Sequence, residues 1–308
     1  MIAAPRIIPT ASDTLSAKGI GYMDGRRIVF WDVSSRKRIA TARIALVAHL
    51  GPLLSKLCTH AKCHGGVKGT IRALQSEIKH FTFVARFDVA SYYDSINHAI
   101  LLNQVAQANA PTEVLDVVRQ YLEVPDAGRT GAGLTAGGSL SSLLGALYLQ
   151  PFDMAFERLM ADGRIFYRRY MDDIVILAET RNRLRAAIRT VHRTLAPLML
   201  RLHDKQKRYI GRTAKGFDFL GYRLHPKRLL RPSSESVHRM KERDRRLYEQ
   251  GASMTRLRRY VSKWWSWLRG GLAGLVFRKG GMRRYWVRLL AHLDIHDPGV
   301  HPPVHSGR

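Results

Sequence analysis

Two adjacent aspartates, Asp172 and Asp173, close the tetrapeptide Tyr170-Met171-Asp172-Asp173. A third, Asp88, ends the apolar run Phe81-Thr82-Phe83-Val84-Ala85-Arg86-Phe87. Carboxylate oxygens are among the donors that Mg²⁺ prefers. Brought together, three of them could hold two cations roughly 3.5–4 Å apart, which stabilises both the attacking and the leaving oxygen of a phosphoryl transfer. Each piece also has a plainer reading. Asp is common in hairpin turns, and an Asp at a strand end serves as a cap or solvated turn. The two pieces in this order favour the metal reading.

Converging carboxylates need strands to carry them. Ile165-Phe166-Tyr167 and Ile174-Val175-Ile176-Leu177 flank the aspartate pair and are rich in β-branched and aromatic residues, so both read as strands. Neighbours on a strand point to opposite faces. Asp172 and Asp173 therefore belong at the tip of a tight hairpin, where both can reach the same side. Phe81–Val89 reads as a third strand, followed by a helix from about Ser95 to Ala108 with Asp94 as its N-cap. Glu113–Glu123 and Ser141–Leu159 have helical spacing. Pro125–Gly138 holds five glycines and reads as a loop. Near the start, residues 1–30 show no clear period. Ile28–Val33 reads as a strand, Ser34–Arg38 as a basic turn and Ile39–Ile44 as a returning strand.

Further motifs fall in order around the aspartates. Phe87–Ile96, then Gly137-Gly138-Ser139-Leu140-Ser141-Ser142-Leu143-Leu144 leading to Pro151-Phe152-Asp153, then Tyr170–Asp173, Leu200–Lys205 and Gly216–Tyr222 resemble five successive motifs of the reverse transcriptases. His64–Gly69 is similar to a segment of retron-type enzymes, so the chain is identified with the prokaryotic retron and group II intron-like branch. The resemblance spans about residues 20 to 225. It implies that Asp88, Asp172 and the Val89 carbonyl hold two Mg²⁺ ions, with Asp173 in support and Mn²⁺ as an alternative metal. It makes Tyr93, five residues after Asp88, an aromatic gate against ribose; the plainer role is packing. Lys37 and Arg38 would lie over the triphosphate, or form a solvated basic turn. Lys205 would protonate pyrophosphate or bind phosphate. Phe219, Leu220, Gly221 and Tyr222 would grip the primer. Ala136 and Gly137 would sit at the nucleotide. There the chain departs from the family, because Thr135-Ala136-Gly137 replaces Pro-Gln-Gly. Ala136 has no hydrogen-bonding side chain to offer the nucleotide.

Charge agrees with a nucleic-acid partner. The 308 residues carry 51 Lys plus Arg against 24 Asp plus Glu, a formal charge of +27. A polyanion is the natural counterpart, with an acidic lipid surface as the rival. No apolar run is long enough to span a bilayer, and the N-terminus lacks a secretory pattern, so no membrane role and a cytoplasmic location are expected. Cys58, His60, Cys63 and His64 crowd together, but not at zinc-finger spacing, and read as a helix end entering a loop.

The expected fold is α+β: a right-hand polymerase with an antiparallel palm sheet, small fingers and a helical thumb. Residues 1–80 would form the N-terminal segment and fingers, 81–225 the palm, 226–293 a basic helical thumb and 294–308 a flexible tail. Segment 226–290 carries eighteen Lys plus Arg against four Asp plus Glu. On helices, Arg256, Arg258, Arg259, Lys263 and Arg269 would face the nucleic-acid backbone while the apolar residues pack inward. The expected activity is RNA-directed DNA polymerisation. Its partners would be an RNA template, a DNA or RNA primer, deoxynucleoside triphosphates and a dedicated non-coding RNA, in a retron-like or phage-defence setting. The alternative is a polymerase-fold nucleic-acid-binding protein with weak or template-independent activity. Nothing in the sequence speaks to oligomeric state.

Overall fold

A computed structural model describes residues 14–23, 26–123, 131–135, 137–203 and 208–295. The described residues form two compact units, one drawn from Met1–Thr70 and His80–Arg212, the other from Ile71–Lys79 and Thr213–Arg308.

The first unit opens with an antiparallel hairpin, β1 (Ala17–Met23) and β2 (Arg26–Trp31), followed by helix α1 (Val33–Leu50). This corrects the expected basic turn and returning strand. Asp32 caps the helix, its Oδ1 accepting from Ser35 N–H at 2.6 Å. Ser35, Ile39, Ala42, Leu46 and Leu50 are buried at helical spacing. Lys37 and Arg38 therefore lie in the first turns of α1, Lys37 exposed and Arg38 half-buried.

Helix α2 (Gly66–Glu77) precedes β3 (Phe83–Asp88). The expected helix from Ser95 with an Asp94 cap is also corrected. Tyr93–Ser95 makes one 3₁₀ turn, and α3 (His98–Gln107) starts later, capped by Asn97, which accepts from Ile100 N–H at 3.1 Å. Ile96 between them is extended, and its carbonyl accepts from Gly133 N–H, so helix cannot begin earlier. Helix α4 (Thr112–Leu122) follows, then α5 (Ser141–Tyr148) and α6 (Gln150–Leu159). The expected single helix over Ser141–Leu159 breaks at Leu149 because Pro151 has no N–H to continue the ladder. Strands β4 (Ile165–Tyr170) and β5 (Asp173–Ala178), helix α7 (Arg181–Leu195) and β6 (Tyr209–Arg212) complete the unit.

The main sheet is antiparallel in the order β4-β5-β3-β6. Registered residues share a face. One face carries Ile165, Tyr167, Ile174, Ile176, Ala178, Ala85 and Phe87, all in the main core with residues of α1 and α3 to α7. The opposite face carries the row Tyr170, Asp173, Asp88 across three strands. One buried row on the core face is unusual: Arg169 lies opposite Ile174, itself opposite Phe87, and Arg169 is fully enclosed.

The second unit pairs β7 (Phe217–Phe219), β8 (Tyr222–Leu224) and β9 (Arg231–Pro232) antiparallel and adds helices α8 (Ser234–Glu249), α9 (Met254–Arg269) and α10 (Gly281–His292). The later residues of α2 belong here. Gln75 Nε2 donates to the carbonyls of His225 (3.3 Å) and Arg228 (3.1 Å), and Arg72 donates to that of Gly271.

Candidate active site

Strand pairing brings the sequence-distant aspartates together. Asp88 ends β3 directly opposite Asp173, which begins β5. Both are half-buried on the face away from the main core. Asp172 is the second residue of the two-residue turn Met171-Asp172. Just past Asp88 the chain is held on its other side. His203 N–H donates to the Asp88 carbonyl and Ala90 N–H to the Arg201 carbonyl, both at 2.8 Å. Peptide groups alternate sides along an extended chain. Those of Val89 therefore turn toward β5 and its Asp173 end. His203 Nε2 stands 3.9 Å from Asp88 Oδ2. A cleft of about 530 Å³ opens beside His203, with Arg201, Arg208 and His192 on its walls.

The turn itself is strained and held. Met171 sits at φ 55, a left-handed conformation that costs a non-glycine residue roughly 1–3 kcal/mol. Its N–H donates to His60 Nδ1 at 3.0 Å, and its carbonyl accepts from Arg169 Nη1 at 2.9 Å. His60 Nε2 lies 3.2 Å from the Ser142 carbonyl, which fixes the tautomer as Nε2–H. Burial, reinforced by the Arg169 charge, pushes the His60 imidazole down to about 4, so it is neutral at physiological pH and Nδ1 can accept. The Cys58 thiol lies 3.4 Å from the same nitrogen, and burial pushes that thiol up to about 11, leaving it protonated. His64 Nδ1 meets the Cys58 carbonyl at 3.1 Å instead.

Arg169 is braced from below. Its Nε donates to Asp153 Oδ1 at 2.9 Å, its Nη2 reaches Asp153 Oδ2 and the Ala146 carbonyl, and Tyr167 donates to Asp153 Oδ1 at 2.6 Å. Both members of the ion pair are fully buried. Burial works against charge on Arg169, and Asp153 more than offsets it, holding the guanidinium firmly protonated. Removing one partner of such a pair costs about 3–5 kcal/mol. Sequence reading gave no role to His60, Arg169 or His203. Their signals were faint: a histidine in a Cys-His crowd, an arginine before Tyr170, and Asp153 noted only as part of a motif.

The second motif packs beside this framework. Residues 131–135 run along Ile96–His98, with Leu134 N–H donating to the Tyr93 carbonyl at 2.8 Å. The Tyr93 ring is half-buried, 5.3 Å from that of Tyr92 and against Gly145. Gly137 takes φ 74. Ala136 and Lys205 lie outside the described residues, as do 296–308 of the expected tail.

The sequence signature of the family described as "Reverse transcriptase (RNA-dependent DNA polymerase)" matches residues 27–224, well over half of the chain. The chain belongs to the reverse transcriptase family. That family, as its description says, is one of RNA-dependent DNA polymerases. No curated protein matches this chain. Among solved structures, apo telomerase from Candida tropicalis aligns at TM-score 0.57 and 10% identity, over 94% of this chain and 64% of that one. Telomerase from Candida albicans, in complex with a fragment of telomeric RNA, aligns at TM-score 0.53 and 14% identity, over 84% of this chain and 52% of that one. At such identities the likeness shows the fold alone, and this reverse transcriptase spans between about half and two-thirds of those chains. The prokaryotic retron or intron-like branch finds no support in these matches.

Reverse transcriptases generally use divalent metal ions. Among the described residues of this one, no three His, Cys, Asp or Glu side chains converge as a ready-made cation site. The donors nonetheless fit in type, being carboxylates and a peptide carbonyl, and in register, since Asp88 and Asp173 share a face. In the second unit, Phe219 and Tyr222 are buried, whereas Leu220 and Gly221 form the turn between β7 and β8 at φ 46 and 83. Tyr222 donates to the Leu268 carbonyl at 2.9 Å. Helix α9 buries Leu257, Val261, Trp265 and Leu268 and exposes Arg256, Arg258, Arg259, Lys263 and Arg269. No helix among the described residues is long and apolar enough to cross a membrane.

Proposed function

We propose that this chain extends a DNA or RNA primer on an RNA template by two-metal nucleotidyl transfer from deoxynucleoside triphosphates. The pairing of Asp88 with Asp173, one residue from Asp172, carries this reading. Asp88, Asp172, Asp173 and the Val89 carbonyl would hold two divalent cations, Mg²⁺ or Mn²⁺. Such ions, when bound, stabilise charge on the attacking 3′-oxygen and on the departing pyrophosphate.

The chain's own residues would do the rest. Tyr93, packed against Gly145, would bound the sugar side of the nucleotide and crowd a ribose 2′-hydroxyl. Ala136 and Gly137 would line the nucleotide, Lys37 and Arg38 would meet its phosphates, and Lys205 would bind phosphate or pass a proton to pyrophosphate. Phe219, Leu220, Gly221 and Tyr222 would hold the primer end, and the exposed cations of α9 would hold its backbone. The His64–Gly69 resemblance supports a retron-like or defence setting with a dedicated non-coding RNA. Sequencing RNA that co-purifies with the chain tests that setting; an RNA pool no different from total cellular RNA overturns it.

Asp172→Asn tests the chemistry, because a neutral amide cannot replace a carboxylate on Mg²⁺. Primer extension should fall by roughly 10³-fold or more, the equivalent of several kcal/mol, while RNA affinity holds. Equal incorporation by both proteins sinks the assignment. Ala136, where the family pattern has glutamine, favours one rival: a nucleic-acid-binding protein with weak or template-independent synthesis. Wild type that binds RNA yet adds nucleotides regardless of template sequence would establish that rival.

A further inference from the structure

We propose that His60 and Arg169 are the positioning residues of this active site, holding the two peptide groups of Met171 and so fixing the turn that presents Asp172 and Asp173. The inference rests on the polymerase reading above. Two-residue hairpin turns that need positive φ ordinarily use Gly, Asn or Asp. Met171 is none of these, yet it adopts φ 55. The turn residue itself does not favour this shape; hydrogen bonds to distant His60 and from Arg169, two residues upstream, brace it. The Met171 N–H is taken by His60 Nδ1 at 3.0 Å and its carbonyl by Arg169 Nη1 at 2.9 Å.

Both clamps are anchored in the same place. His60 Nε2–H donates to the carbonyl of Ser142 in α5, and its ring meets Tyr170 edge-on at 5.9 Å. Arg169 reaches the Ala146 carbonyl of α5 and the Asp153 carboxylate of α6. The carboxylate turn is thereby referenced to α5, and the Tyr93 ring rests on Gly145 of that helix. A metal-binding turn and the wall of the nucleotide site thus share one support. His60 acts through Met171, so its loss should displace the carboxylates without removing a ligand.

Two variants of the full chain separate the clamp from mere packing. His60→Asn keeps an acceptor where Nδ1 stands and gives up the reach to Ser142. His60→Leu fills the space and can accept nothing. Steady-state incorporation should show kcat reduced by roughly 10–100-fold in His60→Leu, as a misplacement of about 1 Å commonly does, and partly restored in His60→Asn. KM for the nucleotide and affinity for primer–template should stay within about twofold, since the group lost binds neither. Wild-type kcat in His60→Leu overturns the proposal, and so does an equal fall in both variants that follows their thermal stability. Hydrogen exchange provides a readout independent of activity. The Met171 amide should exchange about tenfold faster or more in His60→Leu while Ile174–Leu177 stay protected. Unchanged exchange at Met171 overturns the clamp. This measurement needs no primer or nucleotide, so it decides the clamp even where wild type extends nothing, and the two readings fail separately.

Discussion

A methyl group added at Gly138 would stand 1.8 Å from the Tyr121 hydroxyl and 3.1 Å from its Cζ. Tyr121 cannot easily move. It is buried, stacked on Trp31 at 5.6 Å, and its hydroxyl lies 2.9 Å from Ser141 Oγ, which donates to the Thr135 carbonyl at 2.5 Å. Gly138→Ala should therefore destabilise the protein by about 1–3 kcal/mol in urea unfolding. Measured in a Tyr121→Phe background, the same change should cost less, because the closest atom is gone. An equal cost in both backgrounds refutes the contact as the cause. Strand and turn signals are local, so the sequence alone places Asp88 at a strand end and Asp172-Asp173 at a hairpin tip, as the strand pairing has them. Sequence reading missed the role of His60 because Met171, its partner, lies 111 residues away. Nothing near either residue announces that meeting. The Cys-His crowd, weighed for zinc and set aside on its spacing, carries no hint of that hydrogen bond.

Among the elements, strands flanking the aspartates and the helical spacing of α4 were readable, because burial on one face leaves a period in the sequence. Helix α1 had that period too, in Ile39, Ala42, Leu46 and Leu50, but its basic start imitates a turn. Strand β1 hid behind two glycines and showed no period. Helix α8 carries a different surprise. Asp244 is fully enclosed, and neither of its oxygens has a hydrogen-bond partner among the described residues. Burial pushes its carboxyl up to about 7. Between about pH 4 and 7 the unfolded chain has released this proton and the folded chain keeps it, so this group's contribution to stability falls as pH rises across that window. Asp244→Asn should melt higher than wild type at pH 8, by about 2–4 °C for each kcal/mol recovered, with the gap closing toward pH 4. Identical melting at pH 8 would show that Asp244 is not a buried charge.

For the whole molecule, charge is the dominant fact. The formal +27 is concentrated, with +14 of it between residues 226 and 290. Helix α9 shows how such a segment folds: apolar side chains turn inward and five cations stay exposed. Replacing Arg256, Arg258, Arg259, Lys263 and Arg269 together by glutamine in the full chain should weaken primer–template binding and flatten its salt dependence. The slope of log K against log salt should lose about 0.9 for each phosphate contact removed, if the duplex behaves as B-DNA. An unchanged slope would assign the backbone grip to another surface. The grouping of Ile71–Lys79 with the C-terminal unit leaves no mark in the sequence. Local composition changes near residue 226, yet compactness groups Ile71–Lys79 with Thr213–Arg308, a pairing set by tertiary contacts.

That pairing has a consequence for biosynthesis. Ile71, Leu74 and Ile78 are wholly enclosed in the finished protein, and Gln75 is tied to the chain at His225 and Arg228. A ribosome makes 71–79 about 130 residues before the rest of that unit, an interval of roughly 7–27 s at typical elongation rates. Throughout that interval Ile71, Leu74 and Ile78 lack the later-made part of their unit. A chain stopped before Thr213 should therefore be less soluble than the full chain, and equal solubility of the two would show that residues made earlier cover Ile71, Leu74 and Ile78.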